Sequence, residues 1–213
     1  MKIDRIELRH IRMELVSPFV TSMGTEYDEE HIIVRVDGEG VTGWGESVAE
    51  GTPSYETVTT AWHILKDFLI PPVLGKNLNS VAEAIALNEK VRGHRMAKAG
   101  LEAALWDALA KQQGISLSAM LGGTRKKIDV GVSIGIQSSE KELIKKVESY
   151  LTEGYKRIKI KIAPGLDLQF VKALRKEFPA LLLQVDANSA YTLSDVDLFR
   201  KMDEYGLSLI EQP

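Results

Sequence analysis

The sequence of 213 residues contains no cysteine. Disulfide bonds and thiolate metal ligands are therefore excluded, and any metal site has to be built from oxygen or nitrogen ligands. An excess of either charge is also missing, because 27 Lys and Arg residues stand against 30 Asp and Glu residues. This balance argues against a nucleic-acid partner, since proteins that bind by neutralising phosphates are usually basic.

Long apolar runs are missing as well. The longest apolar stretches are far shorter than the roughly 20 residues that a membrane-spanning helix needs. The first seven residues, Met1 to Glu7, lack the apolar core of a signal peptide. We therefore expect a cytoplasmic protein without a membrane partner. With 44% hydrophobic residues, the chain has an ordinary composition for a globular core, in one large domain or two small ones.

The first part of the sequence predicts a small antiparallel sheet. Apolar residues alternate imperfectly between Ile3 and Leu15, which indicates one strand. Residues 31–36 and 41–46 are two further strand-like segments, and the turn-forming residues 37–40 between them predict a hairpin.

Two segments of this part predict loops. Residues 17–25 and 50–54 are rich in Pro, Gly and hydroxyl side chains, and the first of them carries the aromatic residue Phe19. Plain connecting loops are the simpler interpretation, and loops that contact a ligand are the alternative.

From about Tyr55 the hydrophobic period becomes helical. Apolar residues from Val58 to Leu69, including Phe68, lie on one stripe, and this helix is expected to end at Pro71. A second helix is predicted over residues 81–91. A third follows His94, contains many small residues suited to close packing, and is expected to end at the capping Gly114. The segment 121–124 then predicts a boundary between an α+β domain, residues 1–122, and a second domain, residues 123–213.

The second domain alternates strands and helices, with four strands and three helices in all. The first strand is predicted over residues 128–136. Two of the helices have N-terminal caps at Ser139 and Ser194, and glycines at 154 and 206 end these two helices. Alternation of this kind predicts consecutive βα units with parallel strands.

One strand of this domain, residues 158–162, alternates isoleucine with lysine. Because side chains of a strand point to opposite faces in turn, Lys159 and Lys161 share one face. Two later apolar runs end on Asp186 and Glu211, at equal intervals, since 186 − 161 = 25 and 211 − 186 = 25. The carboxyl ends of parallel strands lie at one edge of a sheet, so the sequence predicts that these four side chains face a common interior.

The residue types in this group favour one reaction class. Two carboxylates without histidine or cysteine suit a hard cation such as Mg²⁺, and Asn188 could orient Asp186 or a bound water. A lysine close to a dication and to another lysine should have a lowered pKa, so Lys161 could act as a base. A lysine base and Mg²⁺ together suit removal of a proton α to a carboxylate. The alternative interpretation is that the lysines lie on a solvated outer face and the acids cap helices. The shared interval of 25 residues favours a catalytic group over this alternative.

Three motifs carry a family resemblance. Lys159-Ile160-Lys161, Asp186-Ala187-Asn188 and Glu211-Gln212-Pro213 resemble the Lys-x-Lys, Asp-x-Asn and Glu-Gln-Pro motifs of the enolase superfamily, muconate-lactonising-enzyme subgroup. Within it, the whole chain resembles the o-succinylbenzoate synthase / N-succinylamino acid racemase family. Supporting segments are residues 18–25, 93–98, 154–165 and 184–192.

This resemblance implies a fold and a set of residue roles. The fold is an N-terminal α+β capping domain followed by the first half of a (β/α) TIM-type barrel. Lys161 would abstract the proton, Lys159 would support the low pKa of Lys161 and steady the carboxylate, and the loops 17–25 and 50–54 would close over the succinyl arm. The implied metal ligands are Asp186 and Glu211, which would bind Mg²⁺ or Mn²⁺. The implied substrate-binding residues are Phe19, Ser22, Arg95, Ser133 and Asn188.

The implied activity is a step of menaquinone biosynthesis on a small-molecule carboxylate substrate. It is the dehydration of 2-succinyl-6-hydroxy-2,4-cyclohexadiene-1-carboxylate to o-succinylbenzoate. An N-succinylamino acid racemase or a dipeptide epimerase is the alternative within the superfamily, and a non-catalytic piece that packs against a partner chain is the alternative outside it. The sequence leaves open whether the full-length protein forms a homo-oligomer.

The family pattern is incomplete in this sequence. The third metal ligand and the second catalytic lysine of the family belong to the next two barrel strands. Four βα units are also only half of the eight that close a barrel. We therefore expect a truncated fragment of a longer protein, or one piece of a split one, that is inactive alone.

Overall fold

The computed structural model describes residues 1–49 and 54–213, which form two compact units. The first unit comprises residues 1–14 and 28–125, and the second comprises residues 15–27 and 126–213. Within the described part of the chain, no helix combines the length and the apolar character that crossing a membrane requires.

Three strands in the order β1-β2-β3 form the N-terminal sheet. They are β1 (Arg5–Thr21), β2 (Gly24–Gly38) and β3 (Val41–Ser47). The hairpin predicted between β2 and β3 is confirmed, and its two turn residues, Glu39 and Gly40, have positive φ angles of 48° and 81°. Positive φ at both positions is the requirement of a type I′ turn, whose twist matches that of the strands.

The loop predicted over residues 17–25 is wrong in most of its length. β1 continues to Thr21 and β2 begins at Gly24, so only Ser22 and Met23 form the turn. Because β1 is an edge strand, Pro18 can be accommodated there without the loss of a ladder hydrogen bond, and its presence did not exclude a strand. The tip of this hairpin, residues 15–27, groups with the second unit.

In the described part of the first unit, four helices accompany the sheet, and a π-helical turn follows one of them. They are α1 (Val58–Ile64), α2 (Val81–Leu87), α3 (Arg95–Gln112) and α4 (Leu117–Met120). A π-helical turn, Leu65–Leu69, continues α1. This turn places Phe68 outside the predicted buried stripe, with 48% of its surface exposed, because a π turn contains an extra residue.

The ends of these helices follow from local contacts. The helix predicted over residues 81–91 is wrong at its end, since α2 stops at Leu87. There the buried Asn88 side chain donates a hydrogen bond to the carbonyl of Leu69, which draws the chain away from the helical path. The predicted end of α3 is confirmed, because Gly114 follows the helix with a φ of 67°.

The small residues of α3 allow β3 to pack closely against it. A Cβ atom added to Gly43 would lie 2.1 Å from the Ala104 carbonyl oxygen, and one added to Gly45 would lie 2.2 Å from the Gly100 carbonyl oxygen. Both distances are far below contact, so only glycine fits at these strand positions. The close packing predicted from the small residues of α3 is therefore confirmed.

The second unit contains a four-stranded parallel sheet in the order β4-β5-β6-β7. The strands and the helices between them are β4 (Gly131–Ile134), α5 (Glu140–Thr152), β5 (Arg157–Lys161), α6 (Leu168–Glu177), β6 (Leu182–Asp186), α7 (Val196–Asp203) and β7 (Leu209–Glu211). The predicted alternation of four strands and three helices is confirmed. The first strand is shorter than the predicted residues 128–136.

Helix caps set the lengths of these helices. Ser139 Oγ accepts a hydrogen bond from the Glu142 N–H at the start of α5, as predicted. The predicted cap at Ser194 is wrong. Thr192 is the capping residue, because its side chain and that of Asp195 close a capping box around the 3₁₀ turn Leu193–Asp195 that leads into α7.

The isoleucine face of β5 forms the core of the second unit. Ile158 and Ile160 are 0% and 1% exposed and belong to one buried cluster with residues of α5 and α6, including Leu143 and Leu174. Because side chains alternate along a strand, the lysines of β5 point to the opposite face of the sheet. The core therefore fixes which side of the sheet carries the charged groups.

Candidate functional site

Three charged residues lie in one row across neighbouring strands. In the parallel register Lys161 is the partner of Asp186, and Asp186 is the partner of Glu211. Partners in register project from the same face of a sheet. The row lies at the carboxyl ends of β5, β6 and β7, where parallel sheets of this kind place their functional groups.

The four predicted side chains meet on this face. The Lys161 Nζ lies 2.9 Å from Asp186 Oδ2, and the Lys159 Nζ lies 3.1 Å from the same oxygen. Lys159 also donates a hydrogen bond of 3.0 Å to Glu211 Oε2. Lys161 and Asp186 are buried, with 8% and 1% of their surfaces exposed. The structure thus brings the two bases and the two acids together, as the period of the strand predicts.

Asn188 connects Lys161 to Asp186. Its Oδ1 accepts a hydrogen bond of 2.7 Å from Lys161 Nζ, and its backbone N–H donates to Asp186 Oδ1 at 3.0 Å. The residue has a φ of 47°, in the left-handed region that few non-glycine residues adopt. Backbone strain of this kind persists where surrounding contacts fix the chain, and it concentrates at functional sites.

The charge pairing shifts two pKa values. Burial by itself would raise the pKa of Asp186, but hydrogen bonds from Lys161, from the Asn188 N–H and from Lys159 outweigh it and hold that pKa below its ordinary value. Burial would lower the pKa of Lys159, but its bonds to Glu211 and Asp186 outweigh it and raise that pKa. Both groups therefore remain charged at neutral pH.

The chemical type of the available ligand atoms, carboxylate oxygens, suits a hard divalent cation. Asp186 and Glu211 offer carboxylate oxygens from adjacent strands, and Mg²⁺ is commonly held by one or two carboxylates together with water and substrate oxygens. In the part of the chain that the structure describes, no group of three or more His, Cys, Asp or Glu residues could hold a metal ion. Both carboxylates pair with ammonium groups, so a bound cation would compete with Lys159 for both carboxylates and with Lys161 for Asp186.

An open cavity of about 370 Å³ lies along the same sheet. The predicted residue Ser133 lines it, and Ser133 is the register partner of Lys159. Sequence reasoning missed Gln184 and Arg157, which also line the cavity. The signal was available, because Gln184 lies two residues before Asp186 and Arg157 lies two residues before Lys159.

The hairpin tip brings two more predicted residues to this site. Phe19 lies beside Lys161, with its ring centre 5.9 Å from Lys161 Nζ, a distance at which an ammonium group and an aromatic face attract each other. The Ser22 hydroxyl donates a hydrogen bond of 2.7 Å to the carbonyl of Ala187, between Asp186 and Asn188.

One predicted contact belongs to the first unit. Arg95 is the exposed first residue of α3 in the first unit, and its role in substrate binding stays a prediction. Sequence reasoning missed Glu56, which is 1% exposed and accepts hydrogen bonds from the Met96 and Ala97 N–H groups at the start of α3. Residues 50–53 of the predicted contact loop lie outside the described residues.

Comparison with known protein families gives two matches. The N-terminal domain of the mandelate racemase / muconate lactonizing enzyme family matches residues 5–122. A domain described as enolase C-terminal domain-like matches residues 142–213, which contain Lys159, Lys161, Asp186 and Glu211. The two matches together cover most of the chain.

Individual relatives match the chain over its whole length. An o-succinylbenzoate synthase of Geobacillus kaustophilus is 49% identical, over 100% of this chain and 58% of its own length. An N-succinylamino acid racemase of an Amycolatopsis species is 43% identical, over 100% of this chain and 59% of its own. A crystal structure of an enolase superfamily member from Listeria innocua Clip11262 superposes with a TM-score of 0.92 at 41% identity, covering 100% of this chain and 58% of that one. This chain therefore spans less than two thirds of the length of these relatives.

Proposed function

This chain belongs to the mandelate racemase / muconate lactonizing enzyme family of the enolase superfamily, and from this premise we propose that it carries part of the active site of an o-succinylbenzoate synthase. The observation that carries the proposal is the meeting of Lys159 and Lys161 with Asp186 and Glu211 on one sheet face. The 49% identity to the Geobacillus synthase favours this activity among those of the family.

Lys161 is the proposed base. It removes the proton α to the carboxylate of 2-succinyl-6-hydroxy-2,4-cyclohexadiene-1-carboxylate, so that the C–H bond breaks, an N–H bond forms and the electron pair moves into the carboxylate. The resulting Lys161 ammonium then returns its proton to the departing hydroxyl, which leaves as water as the ring becomes aromatic. Burial among Asp186, Asn188 and Phe19 keeps bulk water from competing for this proton.

Lys159 is the proposed electrostatic partner. Its raised pKa keeps it a cation at neutral pH, so its charge is present throughout the reaction. A fixed positive charge beside the substrate carboxylate stabilises the negative charge that develops when the proton leaves.

Asp186 and Glu211 are the proposed ligands of Mg²⁺ or Mn²⁺. The cation would supply further stabilisation of the negative charge on the substrate carboxylate. Asn188 holds Asp186 in place through its backbone N–H. Phe19, beside Lys161, and Ser133, in the open cavity, are the proposed substrate contacts, with Ser22 and Arg95 added by the family resemblance.

An N-succinylamino acid racemase is the second candidate, because a relative with that activity is 43% identical over the whole chain. The first step is the same, with Lys161 as base. The reactions differ afterwards, since racemisation returns a proton to the opposite face of the carbon, whereas dehydration expels water. A dipeptide epimerase would differ in its substrate alone.

Two proteins, the 213-residue chain and a chimera, test the proposal. With only two carboxylates to hold the cation, the 213-residue chain is expected to turn over neither the cyclohexadiene acid nor N-succinylamino acids in the presence of Mg²⁺. A chimera that joins residues 1–213 to the remaining part of the Geobacillus synthase is expected to dehydrate the cyclohexadiene acid. Lys161→Ala should abolish this turnover, and Lys172→Ala, at an exposed position of α6, should retain it.

The outcomes separate the candidates. Full dehydration by the Lys161→Ala chimera would exclude Lys161 as the base. Robust turnover by the 213-residue chain alone would refute the expected inactivity. Racemisation without dehydration would select the second candidate, and a folded chimera without either activity would favour a non-catalytic role.

A further inference from the structure

A buried carboxylate joins the two loops that follow the site strands. Asp167, 7% exposed, lies six residues after Lys161, since 167 − 161 = 6, and Tyr191 lies five residues after Asp186, since 191 − 186 = 5. The Tyr191 hydroxyl donates a hydrogen bond of 3.0 Å to Asp167 Oδ2. This bond therefore connects the loop after β5 to the loop after β6.

Both partners of this bond are anchored by further contacts. The carboxylate of Asp167 caps α6, because it accepts from the Leu168 N–H, and it also accepts from the Gly165 N–H. The Tyr191 ring packs edge-on against Phe199, with 5.0 Å between ring centres. Burial, and then the hydrogen bond to Asp167, raises the pKa of Tyr191, so its hydroxyl remains a donor.

The segment held by this bond is strained. Asn188 and Ser189 both have positive φ angles, 47° and 61°. Such a conformation persists only where neighbouring contacts fix it on both sides. The Asn188 N–H donates to Asp186 on one side, and the Ser189 N–H donates to the Gln212 carbonyl at 2.7 Å. On the other side the Ala190 N–H donates to the Ala187 carbonyl at 3.2 Å, and Tyr191 adds its bond to Asp167.

We propose that Asp167 and Tyr191 are positioning residues, whose hydrogen bond holds the strained segment so that Asn188 Oδ1 faces Lys161 Nζ. They act on the site through Asn188, which donates to Asp186 and accepts from Lys161. The consequence for catalysis rests on the proposed function, in which Lys161 is the base. The positioning itself can be measured without catalysis.

The experiment compares Tyr191→Phe, which removes only the hydroxyl, with Tyr150→Phe, which removes a hydroxyl on α5. Amide hydrogen exchange is followed by NMR in the 213-residue chain. In Tyr191→Phe, exchange at Asn188 and Ser189 should accelerate about tenfold, as expected for the loss of one hydrogen bond, while the buried Ile160 amide of β5 stays within about twofold. Tyr150→Phe should leave all three rates unchanged.

A second readout is the side-chain amide resonance of Asn188, assigned by its disappearance in Asn188→Ala. It should move towards the position of a solvent-exposed asparagine in Tyr191→Phe and in Asp167→Asn, but not in Tyr150→Phe. Tyr191→Phe keeps the ring that packs on Phe199, so this variant can test the proposal by itself if Asp167→Asn fails to fold. The effects of the two substitutions should not add, since both break the same bond.

Two results would overturn the proposal, and a third would remove only its consequence for catalysis. Equal acceleration at Ser189 and Ile160 would mean that the bond contributes only to global stability. Unchanged exchange and an unmoved Asn188 resonance would mean that the segment holds its position without it. In an active chimera, Tyr191→Phe should lower kcat about tenfold with KM within about twofold, and an unchanged kcat would remove the catalytic consequence. Inactivity of the chimera bears on the proposed function alone, because the NMR readouts do not depend on turnover.

Discussion

Lys161 and Asp186 are register partners on adjacent parallel strands, and their charged atoms lie 2.9 Å apart in a nearly fully buried position. A buried ion pair of this kind is retained only with good geometry and further hydrogen bonds, because removing two charges from water is costly. Lys159 and Asn188 supply those further bonds. The pair therefore contributes to the fold as well as to the proposed chemistry. Measurements of stability test the first role and measurements of turnover test the second.

Removal of the base should destabilise the second unit. Lys161→Ala leaves Asp186 buried with Lys159 as its remaining ammonium partner, so the free energy of unfolding should fall by about 2 kcal/mol. Urea unfolding measures the change. Lys172→Ala, at an exposed position of α6, should change it by less than about 0.5 kcal/mol. A loss for Lys161→Ala as small as that of the control would contradict a stabilising pair.

The low pKa of Asp186 predicts a dependence of stability on pH. The pKa is lowered in the folded chain relative to the ordinary carboxyl value of about 3.9 that applies after unfolding. The stabilisation is therefore fully present above the unfolded pKa and is lost as the pH falls through the folded pKa. In metal-free protein, the difference in unfolding free energy between the wild type and Asp186→Asn should shrink from pH 6 towards pH 3. A difference that grows over this range would show that the folded pKa is raised.

A divalent cation should bind at the two carboxylates in competition with Lys159. At a free concentration of ten times Kd, Mg²⁺ should stabilise the chain by about 1.4 kcal/mol, measured as a rise in Tm against a sodium chloride control of equal ionic strength. Asp186→Asn should abolish the rise and Glu211→Gln should weaken it. Asp197→Asn, at an exposed position of α7, should leave it intact. An undiminished rise in Asp186→Asn would place the bound cation elsewhere.

Glu56 should be important for the stability of the first unit. Its carboxylate accepts from two N–H groups at the start of α3 and Glu56 is 1% exposed, so Glu56→Ala leaves the buried Ala97 donor and the partly buried Met96 donor without that partner. The expected loss is about 2 kcal/mol, and Glu56→Gln, which keeps one acceptor oxygen, should lose less. Urea unfolding with exposed Glu89→Ala as control tests this. If Glu56→Ala were more stable to urea than Glu56→Gln, the proposed capping of α3 by Glu56 would be excluded.

The sequence determined the features that depend on short-range periodicity. Alternation along β5 places both lysines on the face opposite the core, and the equal spacing to Asp186 and Glu211 follows from the repeat of βα units. Most helix ends followed from local signals such as Gly114, Gly154 and Gly206, all of which have positive φ. These features are encoded within a few residues of where they appear.

Other features were decided only by tertiary structure, because they depend on residues far apart in the chain. Composition predicted a loop around Phe19 and Ser22, and only the pairing of β1 with β2 and the bond to Ala187 made that segment a hairpin that reaches Lys161. The capping of α3 by Glu56 and the bond from Tyr191 to Asp167 link residues 40 and 24 positions apart. No local pattern specifies such partners, since the folded packing selects them from many chemically equivalent groups.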